Sequence, residues 1–553
     1  MKQKRVKFKF ATLVVAMALL VGSFSGCKKT EKTEEPVNSV SDNGKVESVN
    51  QEKSAETTEF SYPIAGDKKI TMNWGDGREV YDTSEMKDWY KDYNWMQTLK
   101  DKTGVTLIDL GGKYGSTAPS DEFMLLLAGG EYPDIFRANW ISFPGGPSAA
   151  LKDGYIISLN DVIDQYMPNF KKFLEDYPEI AKMITTDDGI YYTLPVINEN
   201  PEPAMGLTIR QDWLDKLGVG APKTLDELHD VLTRFKTELN CKTPLTFELR
   251  WMFQQYGTAS LSSSFEALYP FYVKDGKVKF GPLEENYKEF LTMMNQWYKE
   301  GLIDADVASV DKNTVQSKFA SGEAGASIQM LSNNKNAIVA NESTDPNFKV
   351  VALNSLVKSE GDTPLFSSYN GMYTGDAGFS ISTACKDIET VARWMDFMYS
   401  EEGNNILKYG IEGVTYEKVD GKVVYTDFIL NNPNESNPST VLGYVTKNAN
   451  WPQFVSKDYV RVREDYETNI LNTWATEMEQ YLMPAVTFTE EESDYINQNY
   501  SNIDTYAREN ITKYVLGTED LANYDSFIKT LKQYGIDKVL EYRQAAYDRY
   551  IAR

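Results

Sequence analysis

Hydrophobic and polar positions alternate through KKITMNW (Lys68–Trp74), placing Ile70, Met72 and Trp74 on one face, the period of a strand with one buried side. The pattern then predicts a helix over Ser84–Lys102, stopped by Gly104, and a second strand in VTLIDL, Val105–Leu110. DEFMLLLAGG, Asp121–Gly130, predicts a short helix ending in glycines, and PDIF, Pro133–Phe136, opens a third strand. Strand, helix, strand, helix, strand at this spacing predicts parallel βαβ units. GIYYTLPVINENP (Gly189–Pro201) runs a short aromatic strand into prolines and asparagines, as a crossover between domains does. GLTIRQDWLDKLGV (Gly206–Val219) reads as a strand followed by an amphipathic helical turn. Thr224 and Glu227 make a capping box for a helix carrying Leu228, Leu232, Phe235 and Leu239 on one face. KDIETVARWMDFMYS (Lys386–Ser400) predicts another buried helix, and a second capping box at Thr489 opens a helical C-terminal region.

The N-terminus follows a different pattern. Lys2, Lys4, Arg5, Lys7 and Lys9 precede an apolar run from Phe10 to Val21, which is shorter than the about 20 residues a membrane span needs. This is the order of a secretory signal. Phe24-Ser25-Gly26-Cys27 then resembles a bacterial lipobox, which implies cleavage before Cys27, a lipid on its sulfur and tethering to the outer face of the membrane. Residues 1–26 are read as the signal and 27–62 as a disordered tether, because so polar a segment buries too little surface to offset its ordering entropy. The body that follows is too long for one compact core and predicts at least two domains.

Charge narrows the partners. Loss of the five positive charges before Cys27 takes the formal net charge from −24 to −29, a field that repels nucleic acid and anionic lipid. Cys241 and Cys385 are read as free, buried thiols, although spacing alone leaves a bridge open.

In order, LLLAGGEYPDIF (Leu125–Phe136), GIYYTLP (Gly189–Pro195), IRQDWLDKLG (Ile209–Gly218), FSISTACKDIETVARWMDFMYSEEG (Phe379–Gly403), YGIEGVTYE (Tyr409–Glu417) and TLKQYGIDKVLEYRQAAYDRY (Thr530–Tyr550) sample nearly the whole body. Together with the lipobox, this set resembles the large extracellular solute-binding lipoproteins of Gram-positive carbohydrate ABC importers. The resemblance implies a periplasmic-binding-protein-like α/β fold, with two α/β lobes, a multi-strand hinge and a helical C-terminal region. The lobes would comprise 63–196 with about 365–410, and 197–364 with 411–553, the chain crossing near Val196–Pro203, around Leu365–Gly378 and after Gly410. It further implies a monomer without cofactor, hinge closure on an oligosaccharide, and delivery to ABC permease subunits driven by a cytoplasmic ATPase.

A saccharide presents apolar C–H faces and hydroxyl pairs, so its site needs aromatic platforms beside carboxylates, amides and arginines, on loops at the carboxyl ends of strands. NWGDGR offers Trp74, Asp76 and Arg78; FRANW offers Arg137 and Trp140; Tyr192 precedes the predicted crossover. Arg210 follows a strand, and FELRWMFQQYG offers Trp251 beside Arg250. SYNGMYTGDAG contributes Tyr369, Asn370 and Tyr373, and YGIEG contributes Glu412 between glycines. Trp213, Trp297 and Trp394 fall inside amphipathic helices and are read as core.

Other chemistries find little support. His229 is the only histidine and sits on the charged part of a helix, which removes Ser-His-Asp, Cys-His and most zinc chemistry. No Walker loop or dinucleotide glycine fingerprint occurs, and DADVASVDKN (Asp304–Asn313) lacks the glycine and glutamate of a calcium loop. No metal or catalytic residue is expected. A receptor for a peptide or other small solute is the alternative, and a secreted carbohydrate-active hydrolase, which needs only two carboxylates, the next.

Overall fold

The computed structural model describes residues 60–73, 86–110, 121–199, 201–254, 257–368, 378–435, 437–447, 451–475 and 481–553. The chain begins a first α/β unit with β1 (Lys68–Asn73), α1 (Trp95–Thr103), β2 (Val105–Asp109), α2 (Asp121–Gly129) and β3 (Ile135–Ala138). Four helices follow, α3 (Gly146–Lys152), α4 (Asn160–Tyr166), α5 (Pro168–Asp176) and α6 (Pro178–Met183), before the short strand β4 (Val196–Asn198). The helix expected from Ser84 starts only at Trp95, because the Asn94 side chain accepts from the Met96 amide and caps it there. It ends at Gly104, in the left-handed conformation (φ 73°) expected of a C-terminal glycine.

A second unit contains β5 (Met205–Arg210), α7 (Gln211–Leu217), α8 (Leu225–Glu238), β6 (Thr243–Phe247), α9 (Ala259–Ser262) and the hairpin β7 (Phe271–Lys274) and β8 (Lys277–Phe280). It continues through α10 (Glu285–Lys299), α11 (Lys312–Ala320), β9 (Ala324–Met330), α12 (Leu331–Asn341) and β10 (Val350–Ala352). The Thr224–Glu227 capping box is present at α8.

The chain returns to the first unit with β11 (Gly378–Ile381), α13 (Ile388–Phe397), α14 (Glu401–Tyr409), the hairpin β12 (Tyr416–Val419) and β13 (Lys422–Tyr425), α15 (Asp427–Leu430), α16 (Pro438–Val445) and β14 (Gln453–Val455). Four helices close it: α17 (Asp465–Trp474), α18 (Glu490–Leu516), α19 (Tyr524–Gln533) and α20 (Ile536–Ala552).

Two four-stranded sheets organise these elements. The first has the order β11-β3-β1-β2, parallel except for the edge strand β11. The second has the order β10-β5-β9-β6, and there β5 runs antiparallel to both neighbours while β6 and β9 are parallel. Each sheet has its own apolar core, one around Ile70, Leu107, Ile135, Trp394 and Trp451, the other around Leu207, Leu245, Phe280, Trp297 and Ile328. Trp297 and Trp394 are buried and Trp213 packs half-buried on the second core.

The crossings between the units are held side by side. β4 pairs in parallel with β14, Leu194 bridges Phe379, and Glu202 receives both Arg461 (3.3 Å) and Arg463. The third crossing therefore runs through residues 456–464 and not directly after Gly410. Residues 411–455, assigned from sequence to the second lobe, pack on the first: Trp451 meets the rings of Trp95 and Phe379 at 5.0 Å, and Tyr90 shares a cluster with Tyr416, Ile429 and Val441. The C-terminal helices α18–α20 do join the second core, through Ile511, Tyr514, Phe527 and Val539.

Candidate functional site

In open α/β sheets, ligands bind outside the carboxyl ends of the parallel strands. On the first sheet that edge is reached at Asn73 and Ala138, and β11 starts there because Gly378 is paired with Ala138. Only glycine fits at 378, since a Cβ would come within 2.2 Å of Thr193 Oγ1. Asn73 is fully buried and its Oδ1 accepts from the Arg137 amide at 3.0 Å, locking the ends of β1 and β3 together. Lys447, just beyond α16, stands near enough to Arg137 for that charge, after burial, to push its ammonium pKa down.

On the second sheet the corresponding edge is formed by the ends of β6 and β9. Past β6, the Arg250 guanidinium lies 4.1 Å over the Trp251 ring and binds Glu248 through two hydrogen bonds of 2.7 and 3.1 Å. The last residue of β9, the exposed Met330, leads into α12. One turn along that helix, the Lys335 ammonium reaches Asn437 Oδ1 at 3.0 Å and the Ser439 hydroxyl, at the start of α16. The other end of α16 brings Tyr444 onto Tyr90, the rings stacked at 4.7 Å and 6°. Tyr90 precedes α1, whose start lies at the carboxyl edge of the first sheet because α1 leads back into the parallel strand β2. Helix α16 thus joins the carboxyl edge of one sheet to that of the other.

The model of the bacterial extracellular solute-binding proteins matches residues 95–405, more than half of the chain. The chain belongs to that family. The fructooligosaccharide ABC transporter substrate-binding protein FusA of Streptococcus pneumoniae is 26% identical, over 83% of this chain and 87% of its own. The polygalacturonan/rhamnogalacturonan-binding protein YtcQ of Bacillus subtilis is 27% identical, over 55% of this chain and 59% of its own. Among solved structures, the alginate-binding protein AlgQ2 without calcium ion superposes with a TM-score of 0.68 at 24% identity, covering 88% of this chain and 99% of that one, which shows the periplasmic-binding-protein-like fold. No helix among the described residues is long and apolar enough to cross a membrane.

Within this solute-binding protein the residues singled out by sequence separate into groups. Arg137 stands at the first carboxyl edge, and Trp251 near the second with its ring buried beneath Arg250. Trp140 and Tyr192 are each 1% exposed, packed with Phe123 and Phe136 beneath the first edge, and the Trp140 indole donates to Ser380 Oγ at 2.9 Å. They belong to the packed core and do not present a face to solvent. Arg210 lies at the far edge of the second sheet, because β5 is antiparallel and ends where β6 and β9 begin. It is bound by both oxygens of Asp212 and stacked at 4.3 Å on Phe348, a structural role. Glu412 borders a cavity of about 520 Å³ between α1, α14 and β12, which Lys102 and Lys418 also line. Lys102 is at the opposite end of α1 from the carboxyl edge, so this cavity faces away from it. There Tyr416 is pushed up to about 12, by burial and then by Glu412. Trp74, Asp76, Arg78, Tyr369, Asn370, Tyr373 and Cys27 lie outside the described residues.

Sequence reasoning does not reach Asn73, Trp89, Tyr93, Phe428, Tyr444 and Lys447. The run DWYKDYNW, residues 88–95, held the signal, with aromatics directly before the cap of α1, but reads by period as more of that helix. Cys241 and Cys385 are free and buried. His229 is partly exposed on α8 with Nε2 2.5 Å from Glu300. Asp304, at the start of the 304–313 segment, accepts from the Lys318 ammonium through both carboxylate oxygens at 2.9 Å. Among the described residues no group of three or more His, Cys, Asp or Glu side chains is placed to hold a metal ion.

Proposed function

We propose that the protein is the substrate-binding component of an ABC importer that captures an oligosaccharide between the carboxyl edges of its two sheets and hands it to a membrane permease. The observation that carries this reading is the arrangement along those edges. Arg137 and Lys447 on one side, and Arg250, braced by Glu248, on the other, supply hydrogen-bonding and charged groups, while partly exposed aromatic rings at the start of α1 and the end of α16 supply stacking surface. Membership of the solute-binding family and the substrate named for FusA support an oligosaccharide over a peptide. Closure would rotate the two lobes about the chain crossings between them, among them residues 456–464. In the same reading residues 1–26 are removed on export and a lipid on Cys27 tethers the chain outside the membrane.

The test is a thermal-shift screen of the full chain in mild detergent against neutral oligosaccharides, uronic oligosaccharides and peptides of graded length. A ligand that binds only the folded state at a hundred times its Kd adds about 2.7 kcal/mol of stability. A saturable rise in Tm with one saccharide class, without degradation of that saccharide, is the expected result. A rise with peptides alone would sink the saccharide assignment.

A further inference from the structure

Residues separated by more than 330 positions in sequence bring four aromatic rings together beside the start of α1. Trp89 meets Tyr444 edge-on at 5.8 Å and Phe428 at 6.0 Å, and Tyr93 meets Phe428 edge-on at 5.2 Å. Tyr90 is buried beneath them, stacked on Tyr444, so the layer under the cluster is already packed. Trp89, Tyr93, Phe428 and Tyr444 all keep part of their surface in solvent. Lys87 adds an ammonium 6.0 Å from the Tyr444 ring centroid.

One atom in this cluster is out of balance. The Trp89 indole Nε1 is shielded from water and has no hydrogen-bond partner among the described residues. A buried N–H without an acceptor costs stability, and buried tryptophans ordinarily find one. The cluster also adjoins the candidate site, since Tyr444 ends the helix whose other end is held by Lys335 of the second unit.

We propose that Trp89, Tyr93, Phe428 and Tyr444 form an outer subsite that stacks one terminal ring of a bound oligosaccharide, and that binding turns the Trp89 ring so that its indole N–H, shielded without ligand, donates to a sugar hydroxyl. The inference rests on the saccharide reading above and adds where a longer chain would extend and which residues would set its preferred length. Aromatic faces take the apolar C–H side of a pyranose or furanose ring, and the donor fixes the orientation of that ring.

Calorimetric titration of the full chain and its Trp89→Ala, Trp89→Phe and Tyr93→Ala variants, with one saccharide series of increasing length, tests it. For ligands long enough to reach the subsite, Trp89→Ala is expected to weaken binding about tenfold and Trp89→Phe, which keeps a ring and loses the donor, about threefold. For the shortest ligands that bind, all four proteins are expected to match, so the variants lose the gain in affinity with length. Unchanged affinity of the variants at every length overturns the subsite while leaving the saccharide reading intact, and so does an equal loss at every length. A wild-type protein that binds no saccharide of any length overturns the reading itself and the subsite with it. Should Trp89→Ala fail to fold, the Trp89→Phe and Tyr93→Ala series decide the question alone.

Discussion

Lys408 lies on α14 with its ammonium buried, 5.7 and 6.0 Å from the ring centroids of Tyr409 and Tyr459, and burial alone pulls its pKa from 10.5 down to about 8. The folded chain therefore holds this proton less tightly than the unfolded chain does. The resulting penalty on folding is complete below pH about 8 and fades as the pH climbs toward the ordinary lysine value. Lys408→Met is expected to stabilise the protein by about 2 kcal/mol at pH 7 and by almost nothing at pH 10.5, read from urea unfolding at the two pH values. Single residues also show what a linear chain hides. Arg137 was legible as a residue of the first sheet's carboxyl edge because β3 runs parallel to β1. Arg210 has the same local pattern, an arginine at a strand end, yet lies at the wrong edge because β5 runs the other way. Trp140 and Tyr192 carry the right chemistry, but nothing local to them specifies the rings of Phe123 and Phe136 that bury them.

At the scale of elements, α17 shows how closely one helix can seat on a sheet. Gly206 on β5 leaves no room for a side chain, since a Cβ would sit 2.5 Å from the Trp474 indole, whose Nε1 donates to the Leu207 carbonyl at 3.0 Å. Gly206→Ala should cost about 1–3 kcal/mol by forcing the ring aside, and Trp474→Ala about 3–5 kcal/mol by opening a cavity. The double variant should cost less than the sum, because the alanine methyl then enters vacated space; a strictly additive result in urea unfolding would refute the contact. The kinds of these elements were readable: the alternation of β1, the apolar face of α8 and the caps at Thr224 and Thr489 depend on residues near one another in sequence. Their partners were not. Periodicity marks the face that is buried and says nothing of what buries it, so it offered no check on the lobe boundaries that the family resemblance implied, and residues 411–455 were assigned to the wrong core.

Across the whole molecule, α18 runs from one unit to the other. Its first turn touches the first unit, where Glu490 pairs with Lys152 at 2.6 Å, and its last turns lie on the second, where the Asn295 side chain donates to the Tyr514 carbonyl at 2.7 Å. Arg549 of α20 reinforces the first contact. It binds Glu492 of α18 at 2.6 and 2.8 Å and Asp187 of the first unit at 2.5 Å, and these carboxylates hold its pKa above the ordinary arginine range. Arg549→Met should raise amide hydrogen exchange in residues 185–191, where Arg553 also anchors the Thr185 and Thr186 carbonyls, while leaving α10 protected. Equal protection in the variant would mean that the clasp does not hold this segment. The two attachments of the C-terminal helices are thus of opposite character, charged against the first unit and apolar against the second. Added salt screens the former and, if it is a sulfate, tightens the latter; cooling weakens the latter and spares the former. Ionic strength and temperature are therefore separate handles on the two ends of the same helical cap, and a shift in the freedom of the lobes can be traced to one end or the other by which handle produces it.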